Sequence, residues 1–120
     1  MQEEENNLSK EYMPIIKALQ NKHALDIILI DLREVSGFAD AFVVATARSE
    51  INASALMDAV TEALDDMGIS YKVEGAESSR WKLIDAGIVI IHIFSKSGRE
   101  FYDLERLWGD APTLRFESEE

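Results

Sequence analysis

The 120-residue sequence contains no cysteine. A disulfide framework, a thiolate nucleophile and a cysteine-based zinc site are therefore excluded, which suits a reducing compartment. Histidine is almost as scarce, with only His23 and His92, and neither forms a His-x-x-x-His or Glu-x-x-His ligand pair. The six glycines, Gly37, Gly68, Gly75, Gly87, Gly98 and Gly109, are isolated from one another. No phosphate-cradling glycine loop and no Gly-x-Ser-x-Gly nucleophile elbow can be built from them, and they read as turn and cap residues. Long apolar runs are missing too. Ile88–Ile91 is four residues long, against the ~20 that a membrane helix requires. The N-terminal stretch is acidic and polar rather than basic and then apolar, so it reads as neither a signal nor a transit peptide. These absences predict a soluble, cytoplasmic protein without a membrane partner.

Basic residues are also few. Twelve Lys and Arg stand against 23 Asp and Glu, a formal net charge of −11. Six of the acids, Glu3, Glu4, Glu5, Glu117, Glu119 and Glu120, lie near the ends, and without them 17 acids face 12 bases, or −5. An acidic body repels phosphate backbones, which disfavours direct nucleic-acid binding, and it suits a basic protein partner. Keeping the protein soluble is an equally good reason for the same charge.

What is present fits one domain. A chain of this length buries roughly 65% of its unfolded surface, and 47% hydrophobic residues supply an ordinary core. Residues 1–8 read as an acidic flexible tail, 9–112 as the domain, and 113–120 as a second acidic tail. A helix starting at Ser9 or Met13 would bury Ile15, Ile16 and Leu19, with Pro14 in its first turn. Ala24–Leu32 is densely apolar and reads as a central strand. After a turn over Ser36–Asp40, Ala41–Thr46 pairs with it antiparallel. Ser49 caps a helix over Glu50–Met67, in which Leu56, Val60, Ala63 or Leu64, and Met67 recur at helical spacing, and Gly68 stops it. Ile69–Val73 reads as a third strand. Trp81–Ile84 and Ile88–Phe94 flank the turn Asp85-Ala86-Gly87 as a hairpin. Ser97 with Glu100 has the capping-box spacing, opening a last helix whose stripe is Phe101, Leu104 and Leu107 or Trp108, ended by Gly109 and Pro112. The whole is an α/β fold with a single mixed β-sheet flanked by helices.

Candidate chemistry is thin. Asp26 and Asp31 fall on opposite strand faces by alternation and cannot jointly hold a metal. Asp40 and Asp85 sit at turns, where carboxylates satisfy backbone groups. His23 reads as a solvated junction residue, and His92 as a hydrogen-bonded structural residue in its strand. No catalytic, cofactor or metal residue is expected. Binding has more support. Trp81, Phe101, Tyr102 and Trp108 concentrate the aromatic residues in the C-terminal half among Arg80, Lys82, Asp103, Glu105 and Arg106, and Trp, Tyr and Arg are the types that anchor interfaces. The stripe on the last helix is equally the pattern of core packing. Trp81, between two charged residues, fits a half-exposed strand, with the indole either in the core or on a docking face.

Several blocks resemble one family. Asp26–Leu32 (DIILIDL), Ser36–Thr46 (SGFADAFVVAT), Val73–Gly75 (VEG), Arg80–Asp85 (RWKLID), Ile91–Phe94 (IHIF) and Arg99–Ala111 (REFYDLERLWGDA), followed by Pro112, are similar to successive segments of the ribosomal silencing factor (RsfS, or Iojap-like) family. One departure is Ala41, where an aromatic residue is expected. The resemblance implies a nucleotidyltransferase-like fold without the enzyme's chemistry, since the Gly-Ser pair and paired aspartates of such an enzyme are missing here. It implies a factor that binds a basic protein of the large ribosomal subunit on its subunit-joining face, blocks joining sterically and represses translation, often as a homodimer. The residues this assigns to partner contact are Trp81, Tyr102, Leu104 and Trp108 for apolar anchoring, with Arg80, Asp40, Asp103, Glu105 and Arg106 as polar neighbours. Phe101, and with it Leu104, is assigned rather to the core. The alternative function is a nucleotidyltransferase-like, nucleotide-binding enzyme.

Overall fold

The computed structural model describes residues 8–117, apart from 36, 38, 104, 105, 107 and 108. Six strands form one sheet: β1 (Leu25–Asp31), β2 (Ala41–Thr46), β3 (Lys72–Glu74), β4 (Trp81–Asp85), β5 (Val89–Phe94) and β6 (Thr113–Phe116). Their spatial order is β3-β4-β5-β2-β1-β6. Only β2 and β5 run parallel, and every other neighbouring pair is antiparallel. The helices are α1 (Met13–Asn21), α2 (Glu50–Asp66) and α3 (Lys96–Phe101). This is the mixed α/β sheet that the sequence predicts.

Alternation divides the sheet's side chains between two cores. On one face, Ile27 and Leu29 of β1, Val43 and Ala45 of β2, and Ile91 and Ile93 of β5 meet α1 and α2. The helices present Ile15, Ile16 and Leu19, and Ala53, Leu56, Met57, Val60 and Leu64. On the other face, Ile28 and Ile30, Phe42 and Val44, and Phe94 form a second cluster with Leu32, Ala39 and Ala111. The interior of β1 (Ile27–Ile30), and β2 and β5 apart from Thr46 and His92, are therefore apolar because both faces are covered. Ala41, where the family pattern suggests an aromatic, is fully buried at the start of β2 between Asp31 and Val89.

Helix ends follow local chemistry. The Ser49 hydroxyl accepts from the Asn52 backbone N–H at the start of α2, and Gly68 takes φ +73 just beyond its end.

Four expectations need correction. The third strand is Lys72–Glu74 rather than Ile69–Val73. Ile69 and Tyr71 pack against the helix-side core on the way to it, so their apolarity reflects packing and not strand pairing. Residues 113–116 are not tail: they form β6, paired antiparallel with β1 from Ile27↔Phe116 to Ile30↔Thr113. The sheet otherwise leaves that edge of β1 with unpaired backbone groups, and β6 satisfies them. The cap of α3 is Ser95, whose hydroxyl accepts from the Gly98 N–H at 2.9 Å, and not Ser97. The helix starts directly after β5, so the cap falls two residues earlier than the capping-box spacing suggests. Finally, α3 ends at Phe101, and Tyr102 leaves helical geometry at φ −102, ψ 57. The helix is thus interrupted directly after Phe101, the first residue of the predicted stripe. Leu104, Glu105, Leu107 and Trp108 lie outside the described residues.

A bulge modifies one further argument. Leu25 pairs with Thr46, but Ile28 pairs with Val44, so β1 carries an extra residue there, and Asp26 has φ +48. Simple alternation between Asp26 and Asp31 thus fails. The two remain apart because five residues of strand separate them by roughly 16 Å. Asp31 is also engaged by Arg33 at 2.7 Å, and that hydrogen bond holds its carboxyl below the ordinary range.

Candidate functional site

The β4–β5 hairpin assembles an aromatic cluster on the face opposite α1 and α2. Trp81 pairs directly with Phe94, and Leu83 with His92, so Trp81, His92 and Phe94 project from the same face. Tyr102 closes over them from the end of α3. Its ring lies 4.7 Å from Trp81 and 5.9 Å from Phe94, centroid to centroid. Trp81 stacks on Phe94 at 5.4 Å and on His92 at 5.8 Å. Trp81 is half-buried, with Ile90 and Tyr102 in the same position around the second core cluster. The indole thus packs in part on the core and in part reaches solvent.

His92 is structural, as the sequence predicts, but its partner is unexpected. The Trp81 Nε1–H donates to His92 Nδ1 at 3.0 Å. That bond places the imidazole proton on Nε2, which is buried without a hydrogen-bond partner. Burial pushes the His92 pKa down to about 4, so the ring is neutral at pH 7. It fixes the indole and is not available as an acid.

Phe101 corrects another expectation. Assigned to the core by its helical spacing, it is 69% exposed. It meets Tyr102 edge-on at 4.8 Å and carries the Arg80 guanidinium 5.8 Å from its ring centre, a cation–π arrangement. The aromatic cluster therefore continues outward, from buried Phe94 through half-buried Trp81 and Tyr102 to exposed Phe101, with Arg80 beside it. Asp103 and Arg106 are exposed next in the chain, and Asp103 Oδ1 accepts from the Arg106 backbone N–H at 3.2 Å. Asp40 is exposed at the opposite end of β2, where its backbone N–H donates to the Ile88 carbonyl. Six residues of strand separate it from the Thr46–Phe94–Trp81 row, roughly 20 Å. Leu104, Glu105 and Trp108, also predicted contact residues, fall outside the described part of the chain.

Two glycines hold the start of β4 in place. A Cβ on Gly98 would lie 2.3 Å from the Arg80 carbonyl oxygen, and one on Gly75 2.6 Å from that of Trp81, where φ is also +69. Both glycines read as simple turn or cap residues in the sequence. In the fold their missing side chains let α3 and the β3–β4 loop press against the backbone of Arg80 and Trp81. Lys82, one of the two charged neighbours of Trp81, is only 8% exposed. Its ammonium donates to the Ala76 and Ser78 carbonyls.

Among the described residues no group of three or more His, Asp or Glu side chains is placed to hold a metal, and no helix is long and apolar enough to cross a membrane.

Comparison with known proteins supplies the rest. The family described as ribosomal silencing factor during starvation matches residues 5–120. The chain belongs to the ribosomal silencing factor family. The ribosomal silencing factor of Halalkalibacterium halodurans is 37% identical over 103 residues, covering 85% of this chain and 88% of that protein. That of Bacillus subtilis is 38% identical over 96 residues, 79% of this chain and 81% of the relative. A solved structure from Chromobacterium violaceum superposes with a TM-score of 0.79 at 33% identity, covering 84% of this chain and 85% of that one. These relatives are named as regulatory silencing factors and not as enzymes, so family membership gives a ribosome-associated, translation-silencing role without catalysis. The enzymatic alternative is set aside.

Proposed function

We propose that this ribosomal silencing factor docks on a basic protein of the large ribosomal subunit, on the face that meets the small subunit, and blocks joining by its bulk. The carrying observation is the aromatic gradient that ends in exposed Phe101 under Arg80. A rigid cluster of this kind anchors an interface at little conformational cost, because Trp81 and Tyr102 are already held by packing. The acidic surface attracts a basic partner and speeds encounter, while the aromatic residues supply short-range affinity. Trp81, Tyr102 and Arg80 form the centre of the contact, Asp103 and Arg106 its near rim, and Asp40 its far edge. About 800 Å² per side, an ordinary interface, spans the roughly 20 Å between Asp40 and Trp81. The docked form is soluble and cytoplasmic, and the free protein is a homodimer, which light scattering on the purified chain would test.

The docking reading has a direct test. Phe101 is exposed, so Phe101→Asp should leave the melting temperature close to that of the parent. It should weaken co-sedimentation with isolated large subunits by about 30-fold, the loss of a typical ~2 kcal/mol anchor. Small subunits added to the parent complex should fail to join. If Phe101→Asp and Tyr102→Ala both co-sediment like the parent, this face is not the docking face.

A further inference from the structure

The geometry points to a second, separate function: a non-catalytic site for a small phosphate-bearing anion, in the cleft at the carboxyl ends of the parallel strands β2 and β5. Thr46 and Phe94 end these strands side by side, and the chain then turns into α2 on one side and α3 on the other. A cavity of about 370 Å³ opens between them. In open α/β sheets this end, beyond the carboxyl termini of parallel strands, is where ligands are held.

The lining is cationic in a protein whose net charge is −11. Arg48, Arg80, Lys82 and Lys96 line it, with Glu50 the one carboxylate; Arg48 Nε–H already donates to the His23 carbonyl and the Arg80 guanidinium stands over Phe101, so Lys82 and Lys96 are the cations on which the site rests. Lys82 carries the argument. The residue is only 8% exposed, and among the described residues no carboxylate lies within ion-pair distance of its ammonium. Two of its three N–H donors are taken by the Ala76 and Ser78 carbonyls, which leaves one. A buried charge without a counter-charge is costly unless an anion arrives to compensate it.

The hydroxyls point the same way. Ser49 Oγ already accepts from the Asn52 N–H, Ser95 Oγ from the Gly98 N–H, and Ser78 Oγ from the N–H groups of both Arg80 and Trp81. Ser49 and Ser78 then have their O–H to offer a ligand, while the Ser95 hydroxyl also lies 3.2 Å from Ser97 Oγ, where either can donate, so one O–H of that pair remains. A cavity lined by ammonium, guanidinium and donor hydroxyls recognises a group rich in acceptor oxygens and negative charge, and a phosphate or diphosphate has both. Its concave form and limited volume favour a small molecule over an RNA backbone, which the acidic surface around it repels.

The test is a titration of the purified, full-length protein with pyrophosphate at constant ionic strength, followed by amide NMR. Saturable shifts confined to the residues around Ser49, Ser78, Lys82 and Ser95 are expected, with a dissociation constant at or below ~1 mM. Lys82→Met should weaken this at least ~10-fold by removing the buried charge. Lys96→Glu, a surface change that leaves the core untouched, should weaken it by a similar factor and serves if Lys82→Met does not fold. Shifts that grow linearly without saturating, or affinity unchanged in Lys96→Glu, would overturn the site. So would a short uridine-rich RNA that binds the same residues more tightly than pyrophosphate, since the cleft would then serve RNA. Large-subunit co-sedimentation is scored separately, so a failure of the docking face does not imitate a failure here.

Discussion

Gly98→Ala is expected to cost about 2 kcal/mol of stability, although alanine is the better helix former. Two effects compete. In a helix, alanine is favoured over glycine by about 1 kcal/mol. Against this, the new Cβ would stand 2.3 Å from the Arg80 carbonyl oxygen and 3.1 Å from both the Arg80 carbonyl carbon and Ser95 Oγ. These are mostly backbone atoms, so no flexible side-chain tip can give way. The same carbonyl accepts from the Ser95 N–H at 2.9 Å, and Ser95 caps α3. Relieving the clash therefore means moving α3 away from β4 and lengthening that bond. Overpacking of this kind costs about 1–3 kcal/mol, and the weakened Ser95 cap adds about 1 kcal/mol, so the clash wins. For a chain of this size the melting temperature should fall by roughly 6–12 °C. Gly37→Ala is the control, because nothing lies within 4 Å of a Cβ there and its φ is unstrained. It should melt within a few degrees of the parent. Thermal denaturation of the two variants side by side decides the matter, and equal stability would mean that α3 is not pressed against Arg80 as described.

That prediction also marks where the sequence stops being legible. Periodicity identifies β1, β2, α2 and β5 because each is long, apolar and cleanly bounded. It misses β6, since Thr113-Leu114-Arg115-Phe116 is only four residues long and runs into acidic chain. Its pairing is decided by the open edge of β1, which no local pattern encodes. Spacing places Phe101 in a core stripe, yet the chain leaves the helix one residue later and turns Tyr102 inward instead. Nothing local marks Lys82 as buried, and it is the β3–β4 loop, folding its Ala76 and Ser78 carbonyls over the ammonium, that allows it. The same holds for Gly75 and Gly98: that a glycine is needed is visible, but what it must approach is a tertiary fact. The aromatic content of the C-terminal half is legible as composition, while the order of the rings from core to solvent is not.

The second large effect concerns pH, and it ties the buried histidine to the proposed docking face. In the unfolded chain His92 titrates near 6.5, and in the fold its pKa is pushed down to about 4 by burial. Between these values the unfolded state binds a proton that the native state refuses. Stability from this group is therefore complete above pH 6.5 and is lost as pH falls toward 4. Between pH 7 and 4.5 the loss is about 2.5 kcal/mol, at about 1.4 kcal/mol per fully effective unit. Carboxylates titrate over part of the same range, so the measurement must be a difference. His92→Asn keeps an acceptor oxygen for the Trp81 indole but has nothing to protonate, and urea denaturation at both pH values should show the parent losing about 2.5 kcal/mol more than the variant. Parallel losses would remove the argument. Protonation carries a local consequence as well. Imidazolium has donors on both nitrogens, so the Trp81 Nε1–H would face an N–H where it now meets a lone pair. The indole then loses the bond that orients it, and large-subunit binding should weaken at acid pH in the parent before the fold is lost, and less so in His92→Asn.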